Sequence, residues 1–127
     1  MHELYIAECI LKSTRDSLPE NQPTSSVVQV RVQVGRLDAI IPETLNLVFN
    51  AIKASYEMPW AELWIEQIDV MCQCSGCGHE FEIEQPLFIC PRCGSSYVKV
   101  LRGRGITLNG ITVDDDVGGN NGNTHHS

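Results

Sequence analysis

The chain has little positive charge. Nine Lys and Arg residues stand against sixteen Asp and Glu residues in 127 positions, which gives a formal net charge of −7. Binding along a nucleic-acid backbone requires a broad basic surface that neutralises phosphates. The composition therefore argues against a protein that coats RNA or wraps DNA, although it is compatible with a small basic patch.

The chain also lacks long apolar runs. No stretch approaches the roughly 20 apolar residues that a membrane span requires, and the first residues, MHELYIAEC, carry acids where a secretory signal carries Lys or Arg. We therefore expect a cytoplasmic protein, monomeric by default, with no membrane association. The chain has six cysteines, and in a reducing compartment those that cluster are expected to bind metal rather than form disulfides.

Hydrophobic periodicity predicts two helices and three strands. Apolar residues at helical spacing predict a helix from Glu3 to about Ser17, with Cys9 among its apolar positions as a core thiol. A second helix is predicted from Pro42, because proline suits the first helical position. The carboxylate of Glu43 would then lie in the first turn, where the helix dipole favours negative charge. The predicted strands are Val27–Val34, Ala61–Met71 and Gly105–Val113.

This order of elements predicts the α+β fold class: a small three-stranded sheet with two helices on one face, plus an inserted zinc-ribbon subdomain. The expected domains are residues 1–70 with 99–113, and the insertion 71–98. Residues 114–127, rich in Gly and Asn, are predicted to be a disordered tail. The insertion is too small and polar to be stabilised by apolar burial alone, so it requires a cross-link.

Two Cys-x-x-Cys pairs can supply that cross-link, Cys74 with Cys77 and Cys90 with Cys93. Two intervening residues let both thiolates of a pair face one ion, and a predicted hairpin from Glu80 to Ile89 would bring the second pair opposite the first. A four-thiolate site of this kind suits structural Zn(II). A rubredoxin-like iron centre and disulfides are the alternatives.

Other potential ligands are weaker. Cys72 lies beside the first pair at a spacing that suits a ligand pair poorly, which favours a spare thiol over a role in metal exchange. His79 is a surface residue or an outer partner of the metal ligands. His125 and His126 lie in the tail and could bind metal weakly.

The N-terminus carries a second set of potential ligands. The amine of Met1, the backbone nitrogen of His2 and the imidazole of His2 can close consecutive small chelate rings around one ion, and Glu3 could add a further donor. Nitrogen-rich planar sets suit Ni(II) or Cu(II) better than ions that prefer hard oxygen ligands. On the residues alone, a solvated His2 at a polar chain end is the alternative.

Four motifs together carry a family resemblance: MHEL at 1–4, GRLD at 35–38, PE at 42–43 and CxxC…CPxCGS between 74 and 95. With this combination the chain resembles, from Met1 to about Val113, the HypA/HybF family of nickel metallochaperones in [NiFe]-hydrogenase maturation. The resemblance implies Ni(II) bound at His2 with Glu3 nearby, and structural Zn(II) at the four paired cysteines. It also implies the family's maturation GTPase and the hydrogenase large subunit as partners, with urease maturation served in some members.

Two other functional classes stay open. A zinc-ribbon module that binds nucleic acid or protein would use the basic residues around and after the second cysteine pair, which are Arg92, Lys99, Arg102 and Arg104. A redox protein with a four-thiolate iron site would be coloured. The sequence contains no recognisable nucleophile–base pair or paired carboxylates, so we do not predict an enzyme.

Overall fold

The structure of the protein, a computed structural model, describes residues 2–85 and 87–114, apart from the side chain of residue 2. The predicted tail lies outside the described residues except for Asp114. The helices are α1 (His2–Ser17) and α2 (Pro42–Ile52), and the strands are β1 (Val27–Gly35), β2 (Glu62–Ile68), β3 (Val70–Cys74), β4 (Glu80–Ile83), β5 (Val98–Arg102) and β6 (Ile106–Val113). Within the described ranges, no helix is long and apolar enough to cross a membrane.

These elements confirm the predicted α+β class. One three-stranded sheet has the order β2-β1-β6 and a second has the order β4-β3-β5. The chain divides into two compact units, each built from separate segments. The core unit contains described residues 2–32, 40–65 and 108–114, and the ribbon unit contains 33–39 and 66–107 without residue 86.

The core unit is organised by the apolar faces of its helices. In α1 the buried positions follow helical spacing, with Ala7, Ile10 and Leu11 at most 5% exposed. Thr14 continues this buried face, and its hydroxyl donates to the Ile10 carbonyl at 2.7 Å. The prediction that Cys9 is a core thiol is wrong, because Cys9 is exposed. Two positions along a helix turn the side chain by about 200°, so Cys9 points away from the face that Ala7 marks.

The predicted single strand Ala61–Met71 is two strands in two different sheets. The chain leaves one sheet after Ile68 and enters the other at Val70. The burial pattern changes at the same point: Leu63 is buried at an odd position, whereas Val70, Cys72 and Cys74 are buried at even positions. A shift of one residue exchanges the two faces of a strand. The imperfect alternation in the sequence therefore marks a change of sheet.

The ribbon unit is an antiparallel sheet with β3 in the centre. Cys72 of β3 faces Phe81 on one neighbouring strand and Val100 on the other. The predicted hairpin from Glu80 to Ile89 is wrong, because its strand residues end at Ile83 and pair with β3. Pro86, which has no backbone N–H, disfavours a continuing ladder there. The central strand's other neighbour, β5, was not among the predicted strands.

Glycines allow three stretches of the ribbon unit to approach closely. Gly35 N–H donates to the Gly105 carbonyl at 2.9 Å, and Leu37 N–H donates to the Gly103 carbonyl at 3.0 Å. Gly103 has φ +103°, and a Cβ built on it would lie 2.5 Å from the Val70 Cα. Only glycine fits this position, because both the backbone conformation and the available space exclude a side chain.

Candidate metal centre

Each cysteine pair lies in a turn of the same construction. Gly78 N–H donates to the Cys74 carbonyl at 2.9 Å, and Gly94 N–H donates to the Cys90 carbonyl at 2.8 Å. Both glycines have positive φ, +80° and +77°. The left-handed conformation closes each turn after the second cysteine, which directs both thiols of a pair to the same side.

The two turns bring the four predicted cysteine ligands together. The Sγ atoms of Cys74 and Cys93 are 3.5 Å apart, those of Cys77 and Cys90 are 3.7 Å apart, and all four lie within 4.8 Å of one another. A tetrahedral ion with Zn–S bonds of about 2.3 Å has S···S edges of about 3.8 Å. The donor set therefore fits one tetrahedral metal ion. In the part of the chain that the structure describes, no other group of three or more His, Cys, Asp or Glu side chains has this arrangement.

The four sulfurs are shielded unequally. Cys74 and Cys90 are each 1% exposed, whereas Cys77 and Cys93 are exposed. The Cys74 Sγ accepts the N–H groups of Gly76 at 3.3 Å and of Cys77 at 3.4 Å. The Cys90 Sγ accepts the N–H of Arg92 at 3.4 Å. Each turn thus buries its first sulfur and surrounds it with backbone donors that stabilise a thiolate.

The same contacts separate the pKa values of the thiols. The N–H of Cys77, assisted by that of Gly76, lowers the pKa of Cys74 to about 6. Burial raises the pKa of Cys90, but backbone N–H groups and neighbouring sulfurs outweigh it and lower that pKa overall. The Ser95 N–H lowers the pKa of Cys93, but the adjacent Cys74 thiol, burial and the other sulfurs raise it to about 11. Crowded thiolates repel one another, so a cation is needed before all four can be charged.

Cys72 lies outside this cluster of sulfurs. It is fully buried in the small apolar core of the ribbon unit, with Phe81 and Val100 opposite it on the neighbouring strands. Burial raises the pKa of the Cys72 thiol. A buried, protonated thiol is unreactive and a poor metal ligand, which favours the interpretation of Cys72 as a spare core thiol.

His79 and Arg102 have local partners. The His79 ring stacks on Phe81, with 5.9 Å between ring centroids, and its backbone carbonyl accepts the Cys74 N–H at 2.9 Å. His79 thus packs beside the cysteine turn. Among the basic residues, Arg102 places its Nη2 atom 3.7 Å from the Glu82 carboxylate.

Of the predicted N-terminal ligands, His2 and Glu3 lie at the start of α1, whereas Met1 lies outside the described residues. His2 is the first residue of the helix. Glu3 is only 8% exposed, and its Oε2 atom accepts the Ile41 N–H at 3.3 Å. Ile41 is the residue that precedes α2. No signal in the sequence links residues 38 positions apart, so this contact was not predicted. His125 and His126 lie outside the described residues.

Comparison with known proteins adds sequence relatives along most of the chain. A family model described as "Hydrogenase/urease nickel incorporation, metallochaperone, hypA" matches residues 1–113. The hydrogenase maturation factor HypA of Desulfosudis oleivorans is 34% identical over 115 residues, which are 91% of this chain and all of the relative. The HypA of Aquifex aeolicus is 32% identical over 116 residues, again 91% of this chain and all of the relative.

Solved structures show the same fold. The solution structure of the Ni metallochaperone HypA from Helicobacter pylori matches with a TM-score of 0.65 and covers 89% of this chain and 97% of that one. The sequence identity is 21%, so the likeness concerns the fold.

Proposed function

The chain is a member of the HypA family of hydrogenase and urease nickel metallochaperones, which are maturation factors rather than enzymes, and from this premise we propose that it binds Ni(II) at its N-terminus and delivers the ion during [NiFe]-hydrogenase maturation. The proposed ligands are the amine of Met1, the backbone nitrogen and imidazole of His2, and Glu3. The observation that carries this proposal is the start of α1 at His2 together with the engaged carboxylate of Glu3.

The start of a helix suits a set of backbone nitrogen ligands. The N–H groups of a first turn have no carbonyl acceptor within the helix. Metal can therefore replace the protons on the His2 and Glu3 amides without breaking the helical hydrogen-bond ladder. A deprotonated amide also places negative charge near the positive end of the helix dipole, which is favourable.

The role of Glu3 follows from its buried carboxylate. Because that carboxylate accepts the Ile41 N–H, we assign Glu3 a backbone contribution to nickel binding and a side-chain contribution to holding the start of α1 beside the residue that precedes α2. Glu3→Gln keeps the backbone amide and a side-chain acceptor. It should retain one bound Ni(II) per chain with an unchanged ligand-field spectrum. Loss of binding in Glu3→Gln would instead make the carboxylate a ligand.

For the four cysteines we propose a permanently bound structural Zn(II) in the ribbon unit. The short sulfur–sulfur distances and the closed set of four thiolates support a site without an open position for substrate. When bound, the ion cross-links the two turns. Cys74, Cys77, Cys90 and Cys93 would hold it, and the backbone donors to Cys74 and Cys90 would offset part of the thiolate charge. An iron site would give a visible absorption spectrum.

Delivery requires a site that exchanges its ligands. An N-terminal set of few donors can be displaced one donor at a time by an acceptor protein. We propose the hydrogenase-maturation GTPase and the [NiFe]-hydrogenase large subunit as partners, with urease maturation as a further destination, in the reducing cytoplasm. The rival nucleic-acid module draws no specific support, because the net charge is −7 and Arg102 lies beside Glu82.

The test is a calorimetric Ni(II) titration of the untagged protein with its native N-terminus, with zinc counted by elemental analysis. His2→Ala and a form extended at the N-terminus should lose specific nickel binding and keep one zinc. A variant with His125→Ala and His126→Ala is the matched control and should bind nickel normally. Nickel binding that survives in both N-terminal forms would overturn the proposed site. Binding lost only in the control would assign it to the tail.

A further inference from the structure

The two exposed sulfurs of the cysteine cluster differ chemically from the two buried ones. Cys74 and Cys90 are 1% exposed, so a reagent in solvent has almost no access to them. Cys77 and Cys93 are exposed and come from different turns. Any reagent that attacks a sulfur of the intact centre therefore meets one of these two first.

Hydrogen bonding increases this difference. The backbone N–H groups of Gly76 and Cys77 point at the Cys74 sulfur, and that of Arg92 points at the Cys90 sulfur. Such donors stabilise the negative charge of a thiolate and make its lone pairs less available for attack. The buried sulfurs are thus protected twice, by low exposure and by stabilised charge.

We propose that Cys77 and Cys93 form a modification site, at which a peroxide-class oxidant converts the two exposed thiolates into a disulfide and releases the metal. This inference rests on the proposed four-cysteine metal site. The Sγ atoms of Cys77 and Cys93 lie within 4.8 Å of each other, so the second thiolate is already close to the first. Once the disulfide has formed, only Cys74 and Cys90 would remain to hold the ion, and two ligands are too few for a closed site.

The chemistry balances with one peroxide. One exposed thiolate attacks a peroxide oxygen: an S–O bond forms, the O–O bond breaks and hydroxide leaves. The other exposed thiolate attacks that sulfur: the S–S bond forms, the S–O bond breaks and a second hydroxide leaves. The two sulfurs together lose two electrons, which the peroxide accepts, and two protons from solvent convert the hydroxides to water.

The experiment uses the full chain, metal-loaded, with Cys9→Ser to remove the exposed thiol outside the cluster. Elemental analysis comes first. Less than one metal ion per chain would contradict the proposed metal site itself, before any oxidant is added. Limiting hydrogen peroxide then follows, and a chromogenic chelator measures released metal. The remaining thiols are alkylated under denaturing conditions, and the protein is digested with trypsin.

Trypsin separates the two exposed cysteines. Cleavage after Lys53, Arg92 and Lys99 leaves Cys93 alone in peptide 93–99, while every other cysteine of the ribbon unit lies in peptide 54–92. We expect the two peptides joined through Cys77 and Cys93, in an amount equal to the metal released. A disulfide inside peptide 54–92 with Cys93 alkylated, or metal release without the joined peptides, would overturn the inference.

Cys72→Ala provides a matched control for the buried thiol. Because Cys72 lies outside the cluster and is fully buried, the rate of metal release and the joined peptides should both be unchanged. Slower release or loss of the joined peptides in this variant would identify Cys72 as an oxidised sulfur and overturn the assignment to the exposed pair.

Discussion

Different interactions stabilise the core unit and the ribbon unit, each within itself. The buried apolar residues of the core unit are aliphatic and aromatic side chains from both helices and their strands, including Leu11, Leu45, Phe49 and Met58, all 0% exposed. In the ribbon unit the buried set is Val34, Val70, Phe81 and three cysteines. We therefore expect apolar burial to be sufficient for the core unit to stay folded, whereas the ribbon unit should also depend on its sulfurs and on the ion that they can share.

This contrast suits a protein that carries one metal and keeps another. A metal ion that supplies much of the folding free energy of a small unit stays bound, because its release would unfold that unit. Metal at a chain end contributes little to folding, and a partner can remove it. The proposed nickel site therefore belongs with the unit whose stability does not depend on metal.

Removing the ribbon metal should have the largest effect. Structural zinc contributes on the order of 10–16 kcal/mol in small zinc-binding peptides. After chelation at neutral pH, we expect amide hydrogen exchange in β3, β4 and β5 to become fast, while the buried face of α1 stays protected. Equal loss of protection in both units would contradict this difference and would indicate that the two units unfold as one cooperative structure.

Removing an apolar side chain from the core unit should have the opposite effect: it should destabilise the core unit and leave metal binding in the ribbon unit unchanged. Phe49→Ala leaves a cavity at a fully buried position of α2 and should lower the free energy of unfolding by about 3–5 kcal/mol in urea denaturation. The zinc content should stay at one per chain. Leu47→Ala, on the same helix but 70% exposed, is the control, and we expect a change within about 0.5 kcal/mol. Similar losses for both variants would contradict the assigned core.

Gly103→Ala tests the close approach inside the ribbon unit. A Cβ at this position would lie 2.5 Å from the Val70 Cα with φ at +103°, so we expect the metal-loaded ribbon to lose about 3 kcal/mol in hydrogen-exchange stability. Gly78 also has positive φ, but a Cβ added there would have no neighbouring atom within 4 Å. Gly78→Ala should therefore cost only about 1–2 kcal/mol. A smaller loss for Gly103→Ala than for Gly78→Ala would refute the steric explanation.

Acidification should reveal the contribution of the backbone donors. The pKa of Cys74 is lowered from 9.0 to about 6, so the stabilisation from its charged form is complete above pH 9 and disappears as the pH falls through 6. Gly76→Pro removes one N–H donor to this sulfur and should move acid-induced zinc loss to higher pH, by less than about one pH unit.

Gly76→Ala is the matched control for that experiment. It keeps the N–H donor, and its added Cβ would lie 3.7 Å from the Cys74 sulfur, an ordinary contact. Its zinc loss, followed with a chromogenic chelator during acid titration, should coincide with that of the wild type. If the proline variant also loses zinc at the same pH as the wild type, the Gly76 N–H does not contribute to the lowered pKa of Cys74.

The smallest effect is expected at the ion pair between Arg36 and Asp69. The Nε and Oδ1 atoms are 2.6 Å apart, but both side chains are about half exposed. A double-mutant cycle with alanine at each position should give a coupling free energy of about 0.2–1 kcal/mol that decreases with added salt. A coupling that salt does not change would mean that the pair is more shielded than its exposure indicates.

Local patterns predicted most of the core unit. The helix from Pro42 and the final strand were recognised because their signals, a proline at the first helical position and alternating apolar residues, act over a few residues. Patterns were less informative where the chain changes sheets. The change after Ile68 depends on which strands lie alongside, and periodicity within one segment does not record its neighbours.

The metal centre divides in the same way. Spacing predicted that Cys74, Cys77, Cys90 and Cys93 would come together, because a Cys-x-x-Cys pair is itself a local turn. Spacing did not indicate which sulfurs are buried, since burial depends on the packing of β3 against strands from other parts of the chain.

By itself the sequence determined the fold class, the membership of a nickel metallochaperone family and the identity of the four clustered cysteines, because each follows from short-range spacing or from motifs. Only the tertiary structure decided that the carboxylate of Glu3 accepts the Ile41 N–H, that Cys9 is exposed, and that the exposed sulfurs of the centre are those of Cys77 and Cys93. The physical reason is that hydrogen bonds between distant residues and the access of solvent to a side chain are properties of packing between segments, which no single segment encodes.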